Sequence, residues 1–159
     1  MSPQAIENVA DYPRPPAIEA YGGHILVRFG GQVIAETTSS FRILETFHPP
    51  TYYLPLSGFS PGTLKEADGR STLCEWKGRA RYFDVMADGA VAPRAAWTYP
   101  APTPAYAAIA DHVALYAEPM QEVLIDGVSV IPQPGNFYGG WVTPNITGPI
   151  KGAPGTTHW

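Results

Sequence analysis

HILVRFGGQVIAET, residues 24–37, sets two apolar-rich, β-branched segments, His24–Phe29 and Gln32–Thr37, on either side of Gly30-Gly31. A glycine pair takes the positive φ values of a two-residue turn whose twist matches that of paired strands, so this stretch predicts an antiparallel hairpin. The same signal recurs where Glu122–Ile125 and Val128–Ile131 flank Asp126-Gly127, and Ala87-Asp88-Gly89 turns the chain between Arg79–Met86 and Ala90–Thr98. In Arg79–Met86 the period of two puts Ala80, Tyr82 and Asp84 on one face and Arg81, Phe83 and Val85 on the other. Phe41–Phe47, Thr51–Leu54 and Ser71–Trp76 add further strands, and His48-Pro49-Pro50 marks an edge or corner because proline cannot donate to a ladder.

Working outward, residues 1 to about 20 contain Pro3, Pro13, Pro15 and Pro16 and read as an extended N-terminal arm, with a single domain over 21–159. Residues 55–71 lack periodicity and form a long loop. One α-helix is expected near 104–117: Thr103 stands at the N-cap, Pro104 at the first helical position and Pro119 beyond the end, while Tyr106, Ile109, Ala110, Val113 and Tyr116 recur at helical spacing. After 131 the chain is rich in Gly and Pro but carries Phe137, Tyr138, Trp141 and Trp159, aromatics that seek burial, so it reads as an ordered irregular tail. The fold class is mainly β, with two antiparallel sheets, that helix and that tail.

Composition excludes several functions. Net charge is −4 with ten scattered Lys and Arg, which disfavours nucleic acid as a partner. No apolar run reaches the roughly 18 residues of a membrane helix, and the first twenty residues lack the basic start and apolar core of a secretory signal. Cys74 is the only cysteine, so neither an intrachain disulfide nor a thiolate zinc site can form, and a reducing, cytoplasmic location is expected. No cofactor motif is present.

At Glu45-Thr46, His48-Pro49-Pro50, Tyr52-Tyr53, Cys74-Glu75-Trp76-Lys77-Gly78, Tyr82-Phe83-Asp84, Trp97-Thr98-Tyr99-Pro100 and above all Pro132-Gln133-Pro134-Gly135-Asn136-Phe137-Tyr138-Gly139-Gly140-Trp141, the chain resembles the domain-of-unknown-function family DUF427. Gly148-Pro149-Ile150-Lys151-Gly152, Pro154-Gly155 and Trp159 extend the likeness, which spans roughly 21–159. The resemblance implies a β-tent-like fold, two antiparallel sheets packed at an angle, without the cysteine-ligated zinc of that fold's better-known members. The family is sometimes labelled nucleotidyltransferase-like. This sequence lacks both a phosphate-cradling glycine loop before a helix and a paired carboxylate motif for magnesium, so the label is set aside.

The candidate chemistry lies in dispersed residues. Lys77 and Asp84, on adjacent strands, read as an acid and a base or as an ion pair that orients a substrate, and Glu45 places a charge among Leu44 and Phe47, where burial would demand a partner or a role as base or ligand anchor. These three are the expected catalytic residues. Tyr53, Trp76, Tyr82, Trp97, Tyr99, Tyr138 and Trp141 are the expected substrate-binding residues, lining an aromatic pocket between the two sheets. Cys74 lacks a histidine close in sequence to activate it and reads as an inert thiol. Glu45, His48 and Asp84 could hold a metal only if the fold gathered them, so no metal is expected. The expected partner is a small-molecule ligand, with general acid/base enzymatic activity of open reaction class. The alternative is a non-catalytic interaction module, with the tail and the aromatic corner as a homodimer seam.

Overall fold

The three short turns close as hairpins in the computed structural model, which describes residues 5–69, 71–74, 77–134 and 138–153. Gly30 and Gly31 adopt φ of 60° and 82°, Asp88 and Gly89 49° and 82°, and Asp126 and Gly127 49° and 79°, the left-handed region that a two-residue turn between twisted strands demands. Gly30 is also required sterically, since a Cβ there would lie 2.4 Å from the Ala87 carbonyl oxygen.

In chain order the strands are β1 (Glu7–Asn8), β2 (Ala17–Tyr21), β3 (Ile25–Phe29), β4 (Gln32–Thr37), β5 (Ser40–Leu44), β6 (Thr51–Pro55), β7 (Leu64–Glu66), β8 (Thr72–Cys74), β9 (Gly78–Ala87), β10 (Ala90–Thr98), β11 (His112–Leu115), β12 (Glu122–Ile125), β13 (Val128–Ser129), β14 (Ile131–Pro132), β15 (Trp141–Val142) and β16 (Ile146–Thr147). The protein is mainly β. A large sheet runs β2-β5-β6-β11-β10-β9-β7 with β8 also paired to β9, and a smaller one runs β13-β12-β3-β4. Two-stranded ladders join β1 to β16 and β14 to β15. No helix among the described residues is long and apolar enough to cross a membrane.

Register assigns the two faces of the large sheet. Phe41 opposes Tyr53, Leu54 opposes Val113, Ala114 opposes Trp97, and Trp97 opposes Tyr82. Opposed residues share a face and faces alternate along each strand. Leu54, Val113, Leu115 and Val85 therefore point one way, where they meet Ile25, Val27 and Ile34 of the smaller sheet in a fully buried core. Phe41, Tyr53, Ala114, Trp97 and Tyr82 form a row across five strands on the opposite, far face.

The expected helix near 104–117 is replaced by a 3-10 stretch, Pro104–Ile109, kinked at Tyr106, followed by a reversal at Asp111 (φ 60°) and strand β11. Thr103 makes no side-chain cap. Val113 and Leu115 bury in the core between the sheets while Ala114 buries on the far face, so His112–Leu115 satisfies a period of two as a central strand between β6 and β10. That two-sided burial outweighs the helical preference of an alanine-rich segment. Tyr106 and Ile109 are still buried, and the Tyr106 hydroxyl donates to the Pro16 carbonyl at 2.6 Å.

The N-terminal arm is docked along much of its length. β2 pairs with β5, Val9 is buried against Leu44 and Ile146, and the buried Arg42 guanidinium bonds to Glu7 at 3.0 Å and to Glu19. Burial, with a small part from Glu7, holds the Tyr12 hydroxyl protonated far above its usual range, and it donates to Glu7 at 2.5 Å.

Leu54→Ala should cost about 2–5 kcal/mol, because it opens a cavity in a fully buried core. Ile131→Ala, at a side chain 65% exposed, should stay within about 0.5 kcal/mol of the parent. Urea denaturation of both variants measures the contrast, and equal losses would contradict the assignment of faces.

Candidate functional site

The far face of the large sheet is the floor of a cavity of about 320 Å³. Ile43, Tyr53, Tyr82 and Trp97 rise from the strands, Tyr99 follows β10 and Tyr116 follows β11. Thr72, Leu73 and Cys74 of β8 line one part of the wall, and Gln133, Tyr138, Gly139 and Lys151 of the tail line another. Because Ala114 is small, its two large neighbours in the row can meet across it: Trp97 Nε1–H donates to Tyr53 Oη at 3.4 Å. Tyr116 leans on Trp97 with ring centroids 4.7 Å apart, and Tyr53 and Tyr99 lie 6.3 Å apart. Gly139 lets the tail backbone press on Trp97, since a Cβ there would be 2.1 Å from the indole.

Burial raises the pKa of the Tyr53 phenol above its ordinary value. Burial also raises that of Tyr99, helped by neighbouring Tyr53 and Cys74. Both stay protonated and neutral at physiological pH.

The polar end starts from a turn. The His48 N–H donates to the Glu45 carbonyl at 2.9 Å, with Phe47 at φ 67° between them, and this reversal sets both the Glu45 and His48 side chains in the cavity wall. Gln133, buried, fixes the imidazole. Its Oε1 accepts from Gly140 N–H at 3.0 Å, so its amide nitrogen is the donor end, facing the Lys151 carbonyl at 2.8 Å and His48 Nδ1 at 3.0 Å. Burial lowers the His48 pKa; Glu45 opposes the shift, while Lys151 and Lys77 add to it. The Lys77 ammonium lies 5.8 Å from the Tyr99 ring centroid, and that of Lys151 lies 5.7 Å from the Tyr138 ring, which itself packs edge-on against His48.

Of the residues expected to bind or react, the fold brings Glu45, Lys77, Tyr53, Tyr82, Trp97, Tyr99 and Tyr138 into one cavity. Asp84 is elsewhere: it accepts the Arg94 N–H at 2.9 Å, in a bulge between Ala92 and Ala96, where the Arg94 guanidinium covers the Tyr82 ring at 4.3 Å. Trp141 also lies outside, fully buried in the core between the sheets, stacked on Tyr52 at 5.2 Å and donating to the Leu115 carbonyl at 3.0 Å. Trp76 falls outside the described residues. The cavity is therefore on the outer face of the large sheet, whereas the space between the sheets is filled by side chains. Glu45, His48 and Asp84 do not gather: no cluster of three or more metal-ligating side chains forms among the described residues.

Sequence reasoning missed Gln133, Lys151 and Tyr116 as cavity residues, and weighed His48 as a metal ligand or a partner for Cys74. Gln133 is a long polar residue between two prolines in an aromatic-rich tail, and that setting was the available signal for a buried amide with a structural task.

The family model described as Domain of unknown function (DUF427) matches residues 17–126. No curated protein matches the chain.

Gly139→Ala should displace Trp97 and destabilise by about 1–3 kcal/mol, the usual cost of overpacking. A changed tryptophan emission maximum together with a lower denaturation midpoint checks it. Because the folded pKa of His48 lies below its unfolded value of 6.5, the unfolded chain binds more protons at acid pH, and the contribution of neutral His48 to stability is present above about pH 6.5 and lost as pH falls. Wild type should lose stability relative to His48→Gln between about pH 7 and about pH 5, read by chemical denaturation. A constant difference would contradict a buried neutral imidazole.

Proposed function

The chain belongs to the DUF427 family, and from the geometry of the far-face cavity we propose that it is a small-molecule-binding domain with general acid/base activity. The observation that carries this reading is the convergence, in one concavity, of Tyr53, Tyr82, Trp97 and Tyr99 with Glu45, Lys77 and His48. An aromatic floor and wall suit a flat ligand, and a few polar groups at one end fix its orientation. Glu45 is half-buried and carries no side-chain hydrogen bond or ion pair among the described residues, which suits a carboxylate that accepts a proton from a ligand. Lys77 is the cation that would orient the ligand or return a proton. The lone Cys74 supports a reducing, cytoplasmic setting for this chemistry.

A second reading draws on Leu73, which is 72% exposed and belongs to the cavity wall. An apolar side chain in that position suits a partner surface, including a second copy of the chain, laid over the opening. Sedimentation equilibrium of wild type and Leu73→Lys decides it: a dimer dissolved by the substitution favours the interface, and a monomer in both discards it.

Ligand-observed NMR against a set of flat aromatic fragments tests the main proposal. Trp97→Leu should weaken the binding fragments by about tenfold, a loss of stacking and burial worth about 1.4 kcal/mol. Asp84→Asn should leave them unaffected. Binding that survives Trp97→Leu, or falls equally in Asp84→Asn, would place the ligand elsewhere.

A further inference from the structure

The orientation of Gln133 determines what His48 offers a ligand. Its amide oxygen is committed to the Gly140 N–H and its nitrogen to the Lys151 carbonyl, so the remaining amide hydrogen points at His48 Nδ1. Nδ1 must then be the acceptor, and a neutral imidazole accepting at Nδ1 carries its proton on Nε2. An imidazolium would set a second hydrogen against the amide donor and lose this bond. Among the described residues His48 Nε2 has no hydrogen-bond partner, and every fully buried side-chain nitrogen or oxygen is partnered. Nε2–H is therefore open, and His48 belongs to the cavity wall.

His48 thus faces the cavity as a donor and not as a base. Among the described residues, two lysines, Lys77 and Lys151, line the same cavity beside one carboxylate, Glu45. No ion pair within 4.0 Å ties Glu45 to Lys77. The Tyr53 and Tyr99 phenols, kept neutral by burial, add no negative charge. Among the described lining residues, donors and cations outnumber the one anionic acceptor at an end of the cavity whose floor is aromatic.

We infer that the cavity takes a flat aromatic ligand carrying an anionic acceptor group such as a carboxylate, received by His48 Nε2–H and the ammonium group of Lys77. The inference rests on the small-molecule reading above and specifies its ligand class. Glu45 then faces a donor elsewhere on the ligand, such as a ring hydroxyl, in the acid/base role already assigned to it. Gln133 is a positioning residue, acting only through His48.

Three probes of nearly equal shape test this: benzoate, benzyl alcohol and benzylamine, titrated at one ionic strength and followed by the indole N–H resonances and the His48 ring. Benzoate should bind at least about tenfold more tightly than benzyl alcohol, the effect of charge-assisted hydrogen bonds, and benzylamine should not exceed the alcohol. Lys77→Met should narrow the preference for benzoate, and long-range proton–nitrogen correlation should show His48 protonated at Nε2 and unprotonated at Nδ1. Equal affinities, or a preference for benzylamine, with binding still sensitive to Trp97→Leu, would overturn the anionic ligand while leaving the aromatic site standing. Failure of all three probes to bind in a Trp97-dependent way would remove both. A proton on Nδ1 would overturn the role given to His48 whichever probe bound.

Discussion

A β-sheet whose central strands are apolar on both sides has to be covered on both sides, and the rest of this structure follows from that requirement. In β6, β11 and β10 the residues on the inner face are Tyr52, Leu54, Val113, Leu115 and Ala96, and those on the far face are Tyr53, Ala114 and Trp97. The smaller sheet covers the inner face completely, with aliphatic side chains meeting at zero exposure. Among the described residues the far face has no second sheet. It is covered by Tyr106 and Ile109 of the 3-10 stretch and by the tail. Irregular segments match a pleated surface less completely than a sheet does, and the gap they leave over Tyr53, Trp97 and Tyr82 is the cavity.

In the tail, a single buried amide, Gln133, ties Gly140, Lys151 and His48 together. A buried amide with all its partners in place is stabilising, while one left short of a partner costs about 1–3 kcal/mol. The same three bonds that secure the tail also set the tautomer of the histidine. Both the anchoring of the tail and the state of the imidazole therefore fall on one residue, which explains how a glycine-rich segment comes to form a defined cavity wall.

Local chemistry made the hairpins legible: Gly30-Gly31, Asp88-Gly89 and Asp126-Gly127 need no tertiary information to specify a turn. Of the aromatic row, the sense of Tyr82 was legible, because period two in Arg79–Met86 set it with Ala80 and apart from Phe83 and Val85. What could not be read was which face would be sealed. Trp141 and Trp97 are equivalent as aromatics beside turn residues, and only the placement of the smaller sheet makes the first a core residue and the second a cavity floor. Asp84 shares the parity of Tyr82 along β9, but the bulge in β10 brings the Arg94 N–H within reach and the carboxylate is spent on backbone. The helix expected over 104–117 failed for a related reason. Helical spacing at Tyr106, Ile109, Val113 and Tyr116 was real, but Val113-Ala114-Leu115 also fits a strand, and burial on two faces favours the strand.

Phe47 shows how the polar end of the cavity is assembled. A bulky residue in the left-handed region is disfavoured by roughly 1–2 kcal/mol, so its φ of 67° persists only because the surroundings dictate it. Those surroundings come from two distant parts of the chain, the arm and the tail. The Phe47 N–H donates to the Val9 carbonyl of the arm at 3.0 Å, the Phe47 carbonyl accepts the Lys151 N–H of the tail at 2.8 Å, and the Arg14 guanidinium lies 5.7 Å from the ring centroid. Lys151 in turn gives its carbonyl to Gln133, and Gln133 reaches back to His48, one residue beyond Phe47. Arm, turn and tail thus close a loop of hydrogen bonds around the segment that presents Glu45 and His48. Val9, far in sequence from the cavity, thus constrains the segment carrying these two side chains through the backbone of Phe47. Such dependence on remote segments leaves the polar end preorganised.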